Sequence, residues 1–425
     1  MKKYFYRLLA RYIGLYAQPG DTLVNLDSIT DEVDPHLPGS RSLELSQLEA
    51  EARVDYVLLN GNLHYERDIQ SYLNRVRKAL NSDARLIIIY YSSLWRPALS
   101  MATKLGLRSK APEWNWLSHA DIANFLHLSD FEIVQTQPKV LLPLYVPLLS
   151  TLINRYLAPL PLLSKLCLVN IQVARPLQRT SSAPVSPSVS VIVPARNEAG
   201  NIEAIVNRLP KMGPDDELIF VEGGSSDDTW QRIQKVKLLN ESRMRIRIAQ
   251  QQGRGKGDAV RKGFSLASNE ILMILDADLT VPPEDLPKFY QAIASDKGEF
   301  INGSRLVYPM EKRAMRFLNL VANKFFAMAF SNVLGQSFKD TLCGTKAISR
   351  RNYLRLAEHR SYFGDFDPFG DFDLIFGAAR MGLRIVEVPI VYGERTYGET
   401  NISRWRHGVL LIAMLAFASR RLKFI

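Results

Sequence analysis

The 425-residue chain is poor in cysteine and has no long apolar run, and each shortage removes a class of protein. Its two cysteines, Cys167 and Cys343, lie far apart, which excludes a disulfide framework and points to a reducing compartment. No stretch of about 18 or more uncharged apolar residues occurs, so no membrane span is expected. The N-terminal MKKYFYRLLARYIGLY starts basic but has neither a continuous apolar core nor a small-residue cleavage site, so it does not read as a signal peptide. Blocks of consecutive like charge, zinc-finger spacings and helix-turn-helix patterns are also missing, and nucleic acid is not an expected partner. There is no internal repeat.

What is present describes a globular protein. Hydrophobic residues make up 47% of the chain, and its length gives room for two or three domains with cores of their own. The formal net charge of +11 suits either general surface charge or a phosphate-rich substrate beside an anionic membrane. One polar, Pro/Ser-rich stretch around residues 179–188 has no periodicity and reads as a linker. The expected organisation is therefore residues 1–175, a linker over 176–188, and residues 189–425.

Both halves read as α/β. In the first, residues 55–59, 85–91 and 131–134 are strand-like, 68–80 have helical spacing, and Ser118 caps a further helix. In the second, strands at 189–193, 217–221, 244–249 and 270–275 alternate with helices at 201–209, 227–236 and 258–267. Such alternation predicts a doubly wound nucleotide-binding sheet with its ligand at the strand carboxyl ends.

Four motifs fall at those ends. Pro194-Ala-Arg-Asn-Glu198 follows the first strand and suits either a helix cap or a ligand loop. Val221-Glu-Gly-Gly-Ser-Ser-Asp-Asp-Thr229 has two glycines, including Gly224, that permit close backbone approach, and polar residues that cap the next helix. Gly253-Arg-Gly-Lys-Gly-Asp258 is a basic glycine loop opening a helix, suited to phosphate, although it lacks the spacing of a Walker loop. Asp276-Ala-Asp278 ends a very apolar strand. Its two carboxylates point the same way, and a divalent cation with oxygen ligands would relieve their repulsion; solvated turn acids are the alternative.

In this order the motifs resemble the nucleotide-sugar half of glycosyltransferase family 2, and most of all its polyprenyl-phosphate sugar synthase branch, the dolichyl-phosphate mannose synthase type. The likeness runs from Val189 to about Ser403. Asn302-Gly-Ser-Arg305, Asp340-Thr-Leu-Cys-Gly-Thr-Lys346, Glu387-Val-Pro389, Arg395 and Gly398-Glu-Thr-Asn-Ile-Ser403 extend it. Gly370-Asp371 stands where the family has a Glu-Asp pair, so only the second acid is kept. Two further departures are Glu222-Gly223 in place of a frequent Asp-Asp, and Ser403-Arg404 in place of a final Ser-Lys.

The resemblance implies a GT-A fold and inverting sugar transfer. Pro194, Arg196, Glu198, Glu222, Gly224 and Lys256 would bind the nucleotide-sugar, with Asp276 and Asp278 holding Mg²⁺ or Mn²⁺ on the diphosphate. Asp371 is the candidate general base for a hydroxyl acceptor, and Asp278 shares the catalytic role through the metal. A lipid-phosphate acceptor is already anionic and needs cations instead: Arg305, Lys346, Arg395 and Arg404. Residues 315–334 and 409–423 are too short to span a membrane and suit either interface helices or core helices. The expected location is the cytoplasmic face of a membrane, bound peripherally.

The first half, from Asp55 through Pro176, resembles the back half of a class I S-adenosylmethionine methyltransferase domain. Asp55-Tyr-Val-Leu-Leu-Asn-Gly-Asn-Leu-His64, residues 81–90, Leu117-Ser-His-Ala-Asp121 and Phe131-Glu-Ile-Val134 carry the likeness. Its front half departs: Thr22-Leu-Val-Asn-Leu-Asp-Ser28 has no glycine loop. The expectation is a truncated Rossmann-like sheet that binds no S-adenosylmethionine, with His64, Trp114 and Trp116 as packing or pocket residues. A methyltransferase with an accessory sugar-binding half is the competing reading.

Overall fold

The computed structural model describes residues 2–18, 20–28, 32–37, 39–51, 53–106, 115–177, 186–307, 317–362, 372–393, 395, 397 and 404–425. The chain divides into two compact units. The first holds residues 1–181 together with 380–382 and 419–425; the second holds 182–379 and 383–418.

The first unit is built on strands β1 (Leu23–Leu26), β2 (Ser40–Leu43), β3 (Tyr56–Asn60), β4 (Arg85–Tyr91), β5 (Phe131–Lys139) and β6 (Val169–Pro176). They form one sheet in the order β2-β1-β3-β4-β6-β5. The first four strands are parallel, and β6 runs antiparallel to both its neighbours. Successive side chains of a strand point to opposite faces. Val57, Leu59, Leu86 and Ile88 accordingly enter one core with the helices Ile69–Ala79 and His119–Leu128. Tyr56, Leu58, Ile87 and Ile89 enter another with the helix Lys2–Ile13. Apolar side chains on both faces explain why β3 and β4 read as uninterrupted hydrophobic runs.

Ser118 caps its helix as expected: its hydroxyl accepts from the Asp121 N–H, and the Asp121 carboxylate accepts from the Ser118 N–H at 2.8 Å. His64 is a packing residue. Its Nδ1 meets the Asn115 carbonyl at 2.9 Å, its Nε2 accepts from the Tyr91 N–H at 3.1 Å, and the rings of Tyr91 and Trp116 flank it. Trp114 lies outside the described residues. The end of β1 is occupied from within, since the Asn62 amide donates to the carbonyls of Leu26 and Asp27 at 2.7 and 2.8 Å.

The second unit holds β7 (Val189–Ala195), β8 (Glu217–Glu222), β9 (Arg245–Gln250), β10 (Ile271–Ile274), β11 (Phe300–Ser304), β12 (Lys346–Ser349) and β13 (Ile385–Pro389). Their order is β13-β11-β12-β10-β7-β8-β9. Strands β10, β7, β8 and β9 are mutually parallel, which is the doubly wound part that the sequence alternation predicts. Beyond β10 the sheet becomes mixed, because β12 runs antiparallel to both β10 and β11. Strand order reverses between β7 and β10, and a crevice opens at the carboxyl ends of strands at such a switch point.

No helix among the described residues is long and apolar enough to cross a membrane. The helices Phe317–Leu334 and Arg404–Ala418 pack against each other. The first buries Phe326, Phe330 and Val333 and exposes Val321, Phe325 and Met328; the second exposes Val409 and Ile412. Each is therefore a core helix on one side and an apolar surface on the other.

Candidate active site

The turns after β7, β8 and β10 converge because these strands are parallel and in register. Pro194 stands opposite Val221 and Ala195 opposite Glu222 in the ladder. Asn197, at φ 57, turns the chain sharply, and its amide oxygen accepts from the Ser226 N–H at 2.8 Å while its own N–H donates to Ser225 Oγ at 3.0 Å. The Glu198 N–H donates to Thr229 Oγ1 at 2.9 Å. The first two motifs are thus one hydrogen-bonded turn, in which capping and site-building coincide.

Glu222 is buried. Its Oε1 accepts the Ser225 N–H at 2.5 Å and its Oε2 the Gln250 amide at 3.0 Å. Burial alone would raise its carboxyl, but these hydrogen bonds hold it below the usual range. Gly224, at φ 72, takes the left-handed conformation the turn requires. Arg196 lines the same turn, its Cβ lying near Gly223. Glu198 is buried beside Asn201, whose amide donates to it at 2.7 Å. Burial, with Asp278 and Asp227 near, pushes its carboxyl up to about 7 against the opposing pull of Arg395.

The carboxylate pair sits just past β10. Asp276 Oδ1 meets Lys256 Nζ at 2.6 Å. Burial would raise this carboxyl, yet Lys256, Lys346 and Arg305 together keep it low. Asp278 Oδ1 accepts from the Thr280 N–H and hydroxyl at 3.1 and 2.8 Å, while its Oδ2 meets Arg395 Nη2 at 2.7 Å. Arg395 also reaches Glu198 Oε1 at 3.3 Å. Lys256 opens the helix Lys256–Leu266 behind Gly255 at φ 84, and the Gly253 N–H is tied to Asp258 Oδ2 at 2.9 Å. The contacts fall into two groups, Lys256 with Asp276 at a helix N-terminus and Arg395 between Asp278 and Glu198.

Two of the expected acceptor cations are turned inward. Arg305 is consumed by the protein: Nε and Nη2 bind the two Asp340 oxygens at 2.7 and 2.9 Å, and its guanidinium lies 5.1 Å over the Tyr392 ring. Burial would raise the Asp340 carboxyl, and Arg305 holds it well below its usual range. Lys346 is buried with Nζ on the Cys343 carbonyl, because it faces inward on β12 next to β10. The side chain of Arg404 is outside the described residues, as are Gly370, Asp371 and Ser403.

One site residue, and the contact made by a second that the motifs already contained, escaped the sequence reading. Gln250 is the ladder partner of Glu222, so its position at the end of β9 is the signal. Gly344 is the other. Lys346 pairs with Ile274 across antiparallel strands, and two residues further along each chain Gly344 meets Asp276. A Cβ at 344 would overlap Asp276 Oδ2 and Lys256 Nζ. A cleft of about 480 Å³ flanks these turns, lined by Gly200, Glu203, Asp227, Asp228, Arg232 and Tyr397. Its acidic lining suits a diphosphate less well than the Lys256 loop does.

A helix start behind a glycine loop and two carboxylates thus stand together at the switch point of an α/β sheet. Residues 190–355, within the second unit, match the model of Glycosyl transferase family 2. A dolichol-phosphate mannosyltransferase of Pyrococcus furiosus is 29% identical over 221 residues, covering 50% of this chain and 59% of that protein. An undecaprenyl-phosphate 4-deoxy-4-formamido-L-arabinose transferase of Proteus mirabilis is 25% identical, covering 51% of this chain and 63% of that protein. The glycosyltransferase AglJ of Haloferax volcanii is 28% identical, covering 55% and 72%. The chain thus spans less than two thirds of the length of the first two relatives. Among solved structures, glucosyl-3-phosphoglycerate synthase from Mycobacterium tuberculosis aligns over 56% of this chain and 80% of that one, at 23% identity and a TM-score of 0.40.

Proposed function

We propose that the protein is an inverting glycosyltransferase that moves a sugar from a nucleotide-sugar to a polyprenyl phosphate at a membrane surface. The observation that carries this reading is the Asp276-Ala-Asp278 pair at the switch point, with Lys256 and Arg395 on its oxygens at 2.6 and 2.7 Å. No group of three or more potential ligands stands together among the described residues. Two carboxylates suit Mg²⁺ or Mn²⁺, whose shell is commonly completed by substrate phosphates and water. When bound, such a cation neutralises charge on the departing nucleoside diphosphate.

The chain's own groups do the rest. Pro194, Arg196, Glu198, Glu222 and Gly224 form the turn that receives base and ribose. Lys256 and the N–H groups opening its helix face the phosphates. Arg395 is the acceptor-phosphate cation, with Arg404 as its partner, while Arg305 and Lys346 act inside the wall by fixing Asp340 and the Cys343 turn. The Pyrococcus and Proteus relatives are named for dolichol phosphate and undecaprenyl phosphate, and the exposed faces of 317–334 and 404–418 supply apolar surface in the same unit. A phosphate oxygen is anionic at neutral pH and needs no proton acceptor. A glycan hydroxyl does, and Asp371 would then be the base.

The first unit is read as a truncated methyltransferase-type sheet without cofactor. Its parallel strands and inserted antiparallel β6 support the likeness. The Asn62 amide across the end of β1 supports the loss of ligand. Measurable binding of S-adenosylmethionine by calorimetry would restore the methyltransferase reading.

The main test is transfer to undecaprenyl or dolichyl phosphate in detergent from a panel of nucleotide-sugars. EDTA should abolish transfer, and Asp278→Ala should leave little. Full activity in EDTA removes the metal. If no lipid phosphate is glycosylated, while a free hydroxyl acceptor is and Asp371→Asn alone stops it, the enzyme extends a glycan.

A further inference from the structure

The first unit carries a segment turned inside out. Eleven of the twenty-six large apolar side chains that stand exposed among the described residues fall within residues 144–166. Leu148 is 89% exposed and Leu162 80%, whereas Ser150 and Asn154 in the same stretch are 0% and 3% exposed. Single exposed leucines are ordinary on a water-soluble surface, but a run of them over buried polar residues is not.

The buried polar residues serve the backbone. Asn154 Oδ1 accepts from the N–H groups of Leu141 and Leu142, both at 2.9 Å, and its Nδ2 donates to the Leu142 carbonyl at 2.7 Å. Ser150 Oγ accepts from the Val146 N–H at 2.6 Å and donates to the Leu144 carbonyl at 2.7 Å. A loop in water can leave these groups to solvent. A loop entering hydrocarbon must satisfy them internally. Leu148 also holds φ 62, a left-handed conformation unfavourable for leucine, with its side chain directed outward.

Charge agrees. No acidic residue occurs between Glu132 and Glu198, and the segment's only charges are Arg155 and Lys165. The helix Lys2–Ile13 meets it through Tyr4, whose hydroxyl accepts from Asn154 at 3.1 Å and whose ring lies 5.2 Å from that of Tyr145. That helix exposes Lys3, Arg7 and Arg11. Leucine, tyrosine and cations without acids form the composition of a surface that lies in an anionic bilayer interface.

We propose that residues 144–166 are a membrane-inserting surface by which the first unit seats the protein on a bilayer containing anionic lipid. Pro147, Pro159 and Pro161 break the segment, so it enters one leaflet and does not span. The proposal is independent of the acceptor assignment, because the sugar-transfer residues belong to the other unit.

The test is flotation of the full chain with vesicles of phosphatidylcholine and phosphatidylglycerol, comparing wild type with Leu148→Asp/Leu162→Asp. Wild type should float, less so with pure phosphatidylcholine or at high salt. The double variant should partition at least about tenfold less, since burial of one leucine is worth roughly that much or more. Leu238→Asp, an exposed leucine of the second unit, should float as wild type does. Should the aspartates impair folding, Leu162→Trp reports directly: its emission should shift to the blue when vesicles are added. Wild type that stays with the sedimenting fraction, or a double variant that floats equally, overturns the proposal. So does a wild-type dimer that the variant converts to monomer without any flotation, which would make the patch an interface between copies. Transfer to lipid phosphate in detergent separates the two readings: activity there without flotation leaves the proposed function standing and removes this one.

Discussion

A methyl group added at Gly344 would fall on Asp276 Oδ2 and Lys256 Nζ, which are themselves paired. Neither can retreat without separating from the other. Overpacking of this kind costs about 1–3 kcal/mol, and if it is felt at the reacting centre the rate falls roughly 5- to 150-fold. Gly344→Ala should therefore lose transfer activity while keeping most of its thermal stability; wild-type rates would show that the Asp276 wall is not part of the site. Glu198 gives a pH prediction. Its folded carboxyl stands at about 7 against an ordinary value of 4.5, because burial and two neighbouring acids outweigh Arg395. The folded state then takes up a proton between these values. The group's contribution to stability is full below 4.5 and lost as pH rises through about 7. The melting temperature of the ligand-free protein should fall over that window, and Glu198→Gln should flatten the slope. An unchanged slope in the variant would assign the effect to other groups.

At the scale of elements, the ends of strands decide which arginine does what. Arg305 follows β11 and is locked onto the buried Asp340, which Asn323 also contacts at 3.2 Å. Removing one partner of such a pair leaves a buried charge and costs about 3–5 kcal/mol. Arg395 keeps over a quarter of its side chain exposed, at 28%, and bridges Asp278 and Glu198. If Arg395 also holds the acceptor phosphate as proposed, loss of that charge-assisted contact costs about 1.5–3 kcal/mol, or roughly 10- to 150-fold in rate. Arg305→Ala should thus melt early or fail to accumulate, and Arg395→Ala should melt near wild type yet transfer slowly. A stable, inactive Arg305→Ala would return that residue to the acceptor. Sequence alone could not separate the two, since both arginines sit in motif-like surroundings and the Arg305–Asp340 contact joins residues 35 apart in the chain. The helices and strands from β3 to β5 and from β7 to β10 were legible, because apolar periodicity and caps such as Ser118 state them locally. Strands β11 to β13 were not, because their pairing is long-range and antiparallel, and no local pattern announces it. The same holds for Gly344, whose role depends on a strand roughly seventy residues away.

Over the whole molecule the chain does not divide at one linker. The two compact units part near 181/182, and residues 419–425 belong to the first unit. There Leu422 is buried, Ile425 packs on the core that contains Tyr56 and Ile87, and the Phe424 ring lies 6.4 Å from that of Tyr156. A fragment of residues 186–418 contains all seven strands of the second sheet and its core. It should fold and be stabilised by a nucleoside diphosphate with Mn²⁺ in a thermal-shift assay. The full chain cut after residue 418 makes the sharper case. It loses three apolar side chains from the first unit, each worth about 1–2 kcal/mol given incomplete burial, and none from the nucleotide site. Two-unit proteins of this kind need not melt in one step. The transition that does not respond to nucleotide should therefore move down by several degrees or more, at about 2–4 °C per kcal/mol. The nucleotide-responsive transition should stay in place and keep its full shift. If deletion of 419–425 instead abolishes the nucleotide response, the tail supports the transferase site. If neither transition moves, the tail contributes nothing to the first unit's core.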